Sequence, residues 1–275
     1  MEKINNFLKK IRSKYILKQI FDNLKENKLL EIIRYNKNIQ NKLNKKLDDF
    51  IKEYSKIVIE IIPKENEFGK FISIPKRYES YYHIYFNDNK EEIKRKKLNK
   101  NENIFKIKVI LDYNIKSLCN LFYKCKCIKN ISFIKFKRKD IVDMSRMFYG
   151  CSSLEKLDIS NFNTENVTNM IEMFCDCGVL GEIKILNFNT NNVTDMSSMF
   201  YNCSSLKEIE FSNFNTNNVT SMSFMFSDCS SLKELNLSNF NTNNVTYMFD
   251  MFYNCSSLKE LNCNIESIKN EFKNK

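Results

Sequence analysis

Residues 212–237 read "SNFNTNNVTSMSFMFSDCSSLKELNL", and at Ser238 the chain starts the same sentence again as "SNFNTNNVTYMFDMFYNCSSLKELNC". Met-Phe recurs at Met147-Phe148, Met173-Phe174, Met199-Phe200, Met225-Phe226 and Met251-Phe252, 26 residues apart each time, with a diverged copy at Leu121-Phe122. Val167, Val193, Val219 and Val245 keep the same period, as do Met144, Met170, Met196, Met222 and Met248. A third column reads Cys125, Cys151, Cys177, Cys203, Cys229 and Cys255. A fixed period over six copies marks a repeat architecture, in which each unit buries its apolar face only against its neighbours.

Each unit divides in two. Val219, Met222, Met225 and Phe226 follow i, i+3, i+6, i+7 and predict a short helix or helical turn. Leu232, Leu235 and Leu237 make L-x-x-L-x-L, which predicts a strand around 235–237, with Phe240 and Asn241-Thr242 shaping the turn after it. Strands of successive units would pair about 4.8 Å apart in a parallel sheet. The expected fold class is therefore α/β: a leucine-rich-repeat solenoid of about six 26-residue coils with a parallel sheet, preceded by a small helical module and a β-rich cap. The expected domains are 1–55 (helical), 56–114 (β-rich) and 115–275 (solenoid). A C-terminal cap begins where the Phe136, Phe162, Phe188, Phe214, Phe240 column becomes Glu266.

Over residues 115–265 these columns resemble the 26-residue repeat of BspA-like leucine-rich-repeat proteins, of the surface-protein and lipoprotein type. That resemblance implies a binding or adhesion module rather than an enzyme, and a surface location for many members. The N-terminal "MEKINNFLKKIRSKYILKQIF" has no uninterrupted apolar core of signal-peptide length. No stretch approaches the roughly 18 apolar residues of a membrane-spanning helix. The expected location is cytoplasmic.

Charge separates the chain into two parts. Residues 1–116 carry 28 Lys and Arg against 16 Asp and Glu, net +12, while 117–275 carry 16 against 17, net −1, which together give the overall +11. The excess is almost all lysine in a chain without alanine or tryptophan, which weakens it as a sign of nucleic-acid binding. Ile4, Phe7, Leu8, Ile11, Tyr15, Ile20, Phe21 and Leu24 fall mostly on one helical face. A helical module packing on itself or capping the solenoid is expected there, with contact to a membrane surface or a partner groove as the alternatives. Residues 14–43, "KYILKQIFDNLKENKLLEIIRYNKNIQNKL", also resemble an F-box, without its Leu-Pro opening and without Trp, which implies docking to a ubiquitin-ligase adaptor. "KIVIEIIP", "KFISIP", "YYHIYF" and "NIFKIKVIL" alternate as short strands, and "KRKKLNK" at 94–100 reads as a solvated loop.

The residues for common chemistry are missing. His83 is the one histidine, four glycines leave little for phosphate-cradling loops, and no nucleophile elbow, P-loop or dinucleotide fingerprint is present. No cofactor and no metal are expected. The cysteine column reads as buried, free thiols, and the Asn-Val-Thr sequons such as Asn218-Val219-Thr220 read as repeat words.

The binding surface follows from strand alternation. Two outward rows are expected, Asn130, Lys156, Glu182, Glu208, Glu234, Glu260 and Ser132, Asp158, Lys184, Glu210, Asn236, Asn262. Glu182, Glu208, Glu210, Glu234, Glu260 and Asp158 are the candidate partner-binding residues on a concave face. They suit a protein partner with basic character and repel nucleic acid. The expected function is non-enzymatic protein–protein interaction; an F-box-like substrate receptor and a cell-surface adhesin are the alternatives.

Overall fold

The structure, a computed structural model, describes residues 55–274, residues 36–43 and the single positions Ile11, Ser13, Ile16, Asp48 and Lys52. The chain divides into two compact units, 1–56 and 57–275. In the first, helix α1 (Lys37–Leu43) follows Asn36, whose carboxamide oxygen accepts the Ile39 N–H at 3.3 Å and so satisfies one free amide of the first turn. The amphipathic face from Ile4 to Leu24 and residues 14–35 of the F-box-like stretch lie outside the described residues, apart from the single positions named above.

In the second unit three of the four alternating segments form strands, while of "KFISIP" only Lys70 lies in a strand and the adjacent Phe71 and Ile72 are both buried. β1 (Ile57–Pro63), β3 (Tyr82–Phe86) and β5 (Ile107–Leu111) bury every second residue: Ile57, Ile59 and Ile61; Tyr82, Ile84 and Phe86; Ile107, Val109 and Leu111. That period of two is what a half-buried strand requires. β2 (Gly69–Lys70) and β4 (Lys97–Leu98) form a two-residue pair, so the basic run 94–100 holds a short strand rather than being wholly loop. Three of its five cations are matched: Arg95 to Glu102 at 2.7 Å, Lys94 to Glu92 and Lys96 to Glu79.

β6 (Ile128–Lys135) and β7 (Lys156–Asp158) complete a five-stranded sheet in the order β3-β5-β1-β6-β7. The pairs β3–β5, β5–β1 and β1–β6 are antiparallel and β6–β7 alone is parallel. β6, from the first repeat unit, therefore lies in the same sheet as the strands before it. One hydrophobic core runs through the whole unit, from Ile57 to Ile268.

The expected six-coil leucine-rich-repeat solenoid is not what forms. Beyond β7 the only paired strands are β8 (Glu234–Asn236) and β9 (Glu260–Asn262), and the Glu182–Glu208 contact is an isolated bridge. No continuous parallel sheet runs along the repeats. Like charge does not account for the gaps, since Glu182–Glu208 and Glu234–Glu260 are among the contacts that do form; the backbone bonds between units are made mainly at the turns.

The repeat units are joined by their turns instead. The N–H groups of Leu118, Asn120, Phe122 and Lys124 donate to the carbonyls of Asp143, Ser145, Met147 and Tyr149 in the next unit, and the pattern is kept up to Met222, Phe224, Phe226 and Asp228. Alternate N–H groups close local turns, as in Met199 to Met196 and Cys203 to Phe200. The expected short helix is thus a run of turns. It breaks from helix because Asn120, Arg146, Glu172, Ser198, Phe224 and Asp250 hold left-handed φ of 52° to 60°. A second such column is Lys124, Gly150, Asp176, Asn202, Asp228 and Asn254. Its Asp, Asn and Gly residues tolerate that conformation best.

Side chains add their own ladders. Phe122, Phe148, Phe174, Phe200, Phe226 and Phe252 stack ring on ring with centroids 5.4 to 5.9 Å apart. The thiols of Cys151, Cys177, Cys203, Cys229 and Cys255 donate to the carbonyls of Phe122, Phe148, Phe174, Phe200 and Phe226 at 3.0 to 3.2 Å. Burial pushes the Cys151 thiol up to about 12, so it stays a protonated donor. All ten cysteines are free thiols. Thr164, Thr190 and Thr216, each 1% exposed, both donate to and accept from the backbone of the following unit. Helix α2 (Glu266–Lys273) follows the last unit, with Ile268 buried and Phe272 edge-on to Phe252 at 6.0 Å.

Candidate functional site

On the outward side of the last four repeat units lies an open groove of about 600 Å³. Its floor is apolar: Ile183, Ile185 and Leu235 are buried and Ile209 is half-buried. The alternation that sends these side chains inward sends Glu182, Glu208, Glu210, Glu234 and Glu260 outward as the groove's walls, all exposed. Asn236 and Asn262 line it beside them.

Five of the six sequence-predicted site residues are thus brought together. Asp158 is not among the lining residues: it ends β7, and its carboxylate accepts the Ser160 hydroxyl at 2.6 Å and the Ser160 N–H at 3.0 Å. Those two bonds, the hydroxyl first, hold its pKa below the usual aspartate value. Lys184, which the outward row places in the groove, pairs with Glu182 at 3.2 Å. Glu208, Glu210, Glu234 and Glu260 have no cationic partner among the described residues. Five carboxylates against one ammonium leave a strongly negative lining above an apolar floor. Such a surface attracts ammonium and guanidinium groups and repels phosphate.

Sequence reasoning left His83 without partners, and the fold supplies two. Its Nδ1 faces Glu92 at 3.3 Å and its Nε2 faces Asp112 at 3.2 Å, with about a quarter of each side chain exposed. The carboxylates come from positions 9 and 29 residues further along the chain, and no local pattern announces either. Arg138 was missed as well. Its side chain is 1% exposed, spans the carbonyls of Ile115 and Asp112 at 2.5 and 3.3 Å, and grips Asp140 at 2.6 and 2.9 Å. Among the described residues, no group of three or more His, Cys, Asp and Glu side chains is arranged to hold a metal ion. Among them, too, no helix is long and apolar enough to cross a membrane.

A family model described as "Mycoplasma protein of unknown function, DUF285" matches the chain three times, at residues 86–188, 115–208 and 180–274. No curated protein matches the chain. No solved structure matches it either.

Proposed function

The chain belongs to this DUF285 family, whose model covers residues 86–274 in overlapping matches, and from that repeat character and the groove we propose that the protein is a non-enzymatic binding module for a basic protein segment. The observation that carries the reading is the groove itself, in which five glutamates stand around an apolar floor of isoleucine and leucine. Half-buried Ile209 and exposed Leu186 offer some apolar contact, and the carboxylates select lysine and arginine and speed their capture. The resemblance to BspA-like repeat proteins, regarded as binding and adhesion modules, supports the same reading. Steering of this kind acts mainly on association rate and fades with salt, because the glutamates are exposed.

The test uses a lysine-rich peptide with alternating leucines, titrated against the full chain and against the triple variant Glu208→Lys, Glu210→Lys, Glu234→Lys. The expected result is capture by the native chain at low salt, a loss on the order of tenfold or more in the variant, and weakening of the native interaction by 0.5 M salt. Equal capture by both chains at low salt, with both folded, would remove the groove as the binding surface.

A further inference from the structure

The acidic groove has a fixed pitch. The N–H groups of Lys207, Lys233 and Lys259 donate to the carbonyls of Gly181, Lys207 and Lys233 at 3.3, 3.5 and 2.9 Å, so successive units are joined just before each groove glutamate. Glu182 and Glu208 face each other across a parallel bridge, and Glu234 and Glu260 face each other across β8 and β9. Chain segments joined in this way lie about 4.8 Å apart. Glu208, Glu234 and Glu260 therefore stand in one row, at about 0, 4.8 and 9.6 Å along the repeat axis. All three are exposed and have no cationic partner among the described residues, whereas Lys184 already meets Glu182 at 3.2 Å. The side chains of Lys207, Lys233 and Lys259 do not line the groove.

Cations that meet this row together must repeat at the same interval. A helix rises about 1.5 Å per residue, so positions i, i+3 and i+7 of one face fall at about 0, 4.5 and 10.5 Å, each within about 1 Å of a glutamate. On an extended chain the residues of one face, i, i+2 and i+4, fall at about 0, 6.7 and 13.4 Å and miss the second and third glutamates by about 2 and 4 Å. Lysine stems can splay to cover part of that error, but each exposed ion pair is weak and holding long side chains in one geometry costs entropy. Glu210 stands two residues along the chain from Glu208, about 6.7 Å to the side, which is inside the roughly 10 Å width of a helix.

The backbone argues the same way. The groove is a sheet face, where β8 and β9 spend their main-chain groups on each other. An extended peptide lying there gains none of the main-chain bonds that strand addition draws from a free edge. A helix arrives with its own N–H and C=O groups already paired. Resting on the binding reading above, we propose that the segment taken by the groove is a basic amphipathic helix lying along the repeat axis, with cations at i, i+3 and i+7 over Glu208, Glu234 and Glu260. A leucine at i+4, beside the cationic stripe, meets half-buried Ile209 and exposed Leu186.

The probes are three peptides titrated against the full chain at low salt. One is the lysine-rich peptide with alternating leucines. The second has the same composition, reordered so that lysines fall at i, i+3, i+7 and i+10, and the third is the second with proline at its centre. Alternation favours a strand and the reordered sequence a helix, while proline keeps the order of the lysines and breaks the helix. The helical peptide binds on the order of tenfold more tightly than either of the others, and its backbone carbon-13 shifts are helical in the complex. Glu260→Gln, an exposed change at the end of the row, weakens the helical peptide about threefold at unchanged melting temperature. Equal binding by the alternating or the proline peptide, a bound peptide that is not helical, or full affinity in Glu260→Gln overturns this inference and leaves the groove as the binding surface. Capture of none of the three peptides, or equal capture by the triple variant Glu208→Lys, Glu210→Lys, Glu234→Lys, overturns the groove reading and this inference with it.

Discussion

Residues 57–111 and the repeat units after them hold together by different means. In the first region, backbone pairs such as Ile57 with Leu111 and Tyr82 with Leu111 join residues far apart in sequence, and side chains contribute mainly apolar packing. In the repeats, every junction uses the same bonds 25 or 26 residues apart, and phenylalanine, cysteine, threonine and asparagine each add a ladder of their own. The first region is specified by which residues pair; the second by what happens identically at each step. A defect in the sheet is therefore confined by its neighbours' unlike contacts, whereas a defect in a central repeat removes half the support of two adjoining units.

The largest expected effect follows from that contrast. Phe200 is fully buried, stacked on Phe174 at 5.4 Å and on Phe226 at 5.7 Å. Phe200→Ala should cost about 4 kcal/mol by loss of transfer energy and cavity formation. Denaturant unfolding should report that loss, and exchange should accelerate at the turn amides of Phe174 and Phe226 as well as at residue 200. Acceleration confined to the mutated unit would mean that the repeats are energetically independent and that the contrast with the sheet is wrong.

Next in size is the residue between the two regions. Arg138 ties the carbonyls of Asp112 and Ile115 to the carboxylate of Asp140 and lies over the Tyr113 ring at 5.1 Å. Arg138→Met keeps the length of the stem but leaves buried carbonyl oxygen without a donor. The full penalty for breaking a buried pair is on the order of 3–5 kcal/mol. Asp140, 36% exposed, recovers some hydration, so the expected loss is about 3 kcal/mol. A cost below about 1 kcal/mol would show that the sheet and the repeats do not need this link.

How far the sequence foretold this molecule also differs between the regions. The strands β1, β3 and β5 were legible because alternation is local, and the period of 26 exposed the buried columns and the glutamate row that walls the groove. Of the short helix or helical turn expected from Val219, Met222, Met225 and Phe226, only local turns form, because apolar spacing records which side chains are buried and not the sign of φ. The left-handed column contains Asn120, Arg146, Glu172, Ser198, Phe224 and Asp250, a mixture with no compositional mark. The continuous parallel sheet failed because the units spend their backbone bonds mainly at the turns, a choice the L-x-x-L-x-L pattern does not record; beyond β7 only β8 and β9 pair, with Glu182–Glu208 an isolated bridge. Asp158 was assigned to the neighbouring outward row, with Lys184 and Glu210, by alternation alone, yet the sheet breaks between β7 and Glu182 and leaves it outside the groove. The partners of His83 and Arg138 are set by long-range pairing of strands, which a single sequence does not display.

The smallest effect is confined to the loop after β4, in the first region. Arg95 donates to Glu102 at 2.7 Å, and Asn99 adds its N–H at 2.8 Å and its carboxamide at 2.9 Å. The guanidinium bond first, then the Asn99 amide, hold the Glu102 carboxyl at about 2, well below an ordinary glutamate. Because the folded value is depressed, the contribution of Glu102 is fully present above the unfolded value near 4.5 and is lost as pH falls towards 2. The carboxylate is exposed enough for solvent to screen most of this, so the shift in melting temperature is small. Glu102→Gln keeps the shape of the side chain and removes its titration. The variant should melt slightly below the native chain at pH 6 and converge with it near pH 2, while the turn amides of the repeats report no difference at either pH. A constant gap between the two chains from pH 6 to pH 2 would mean that the ion pair contributes nothing and that only the amide bonds to Asn99 order this loop.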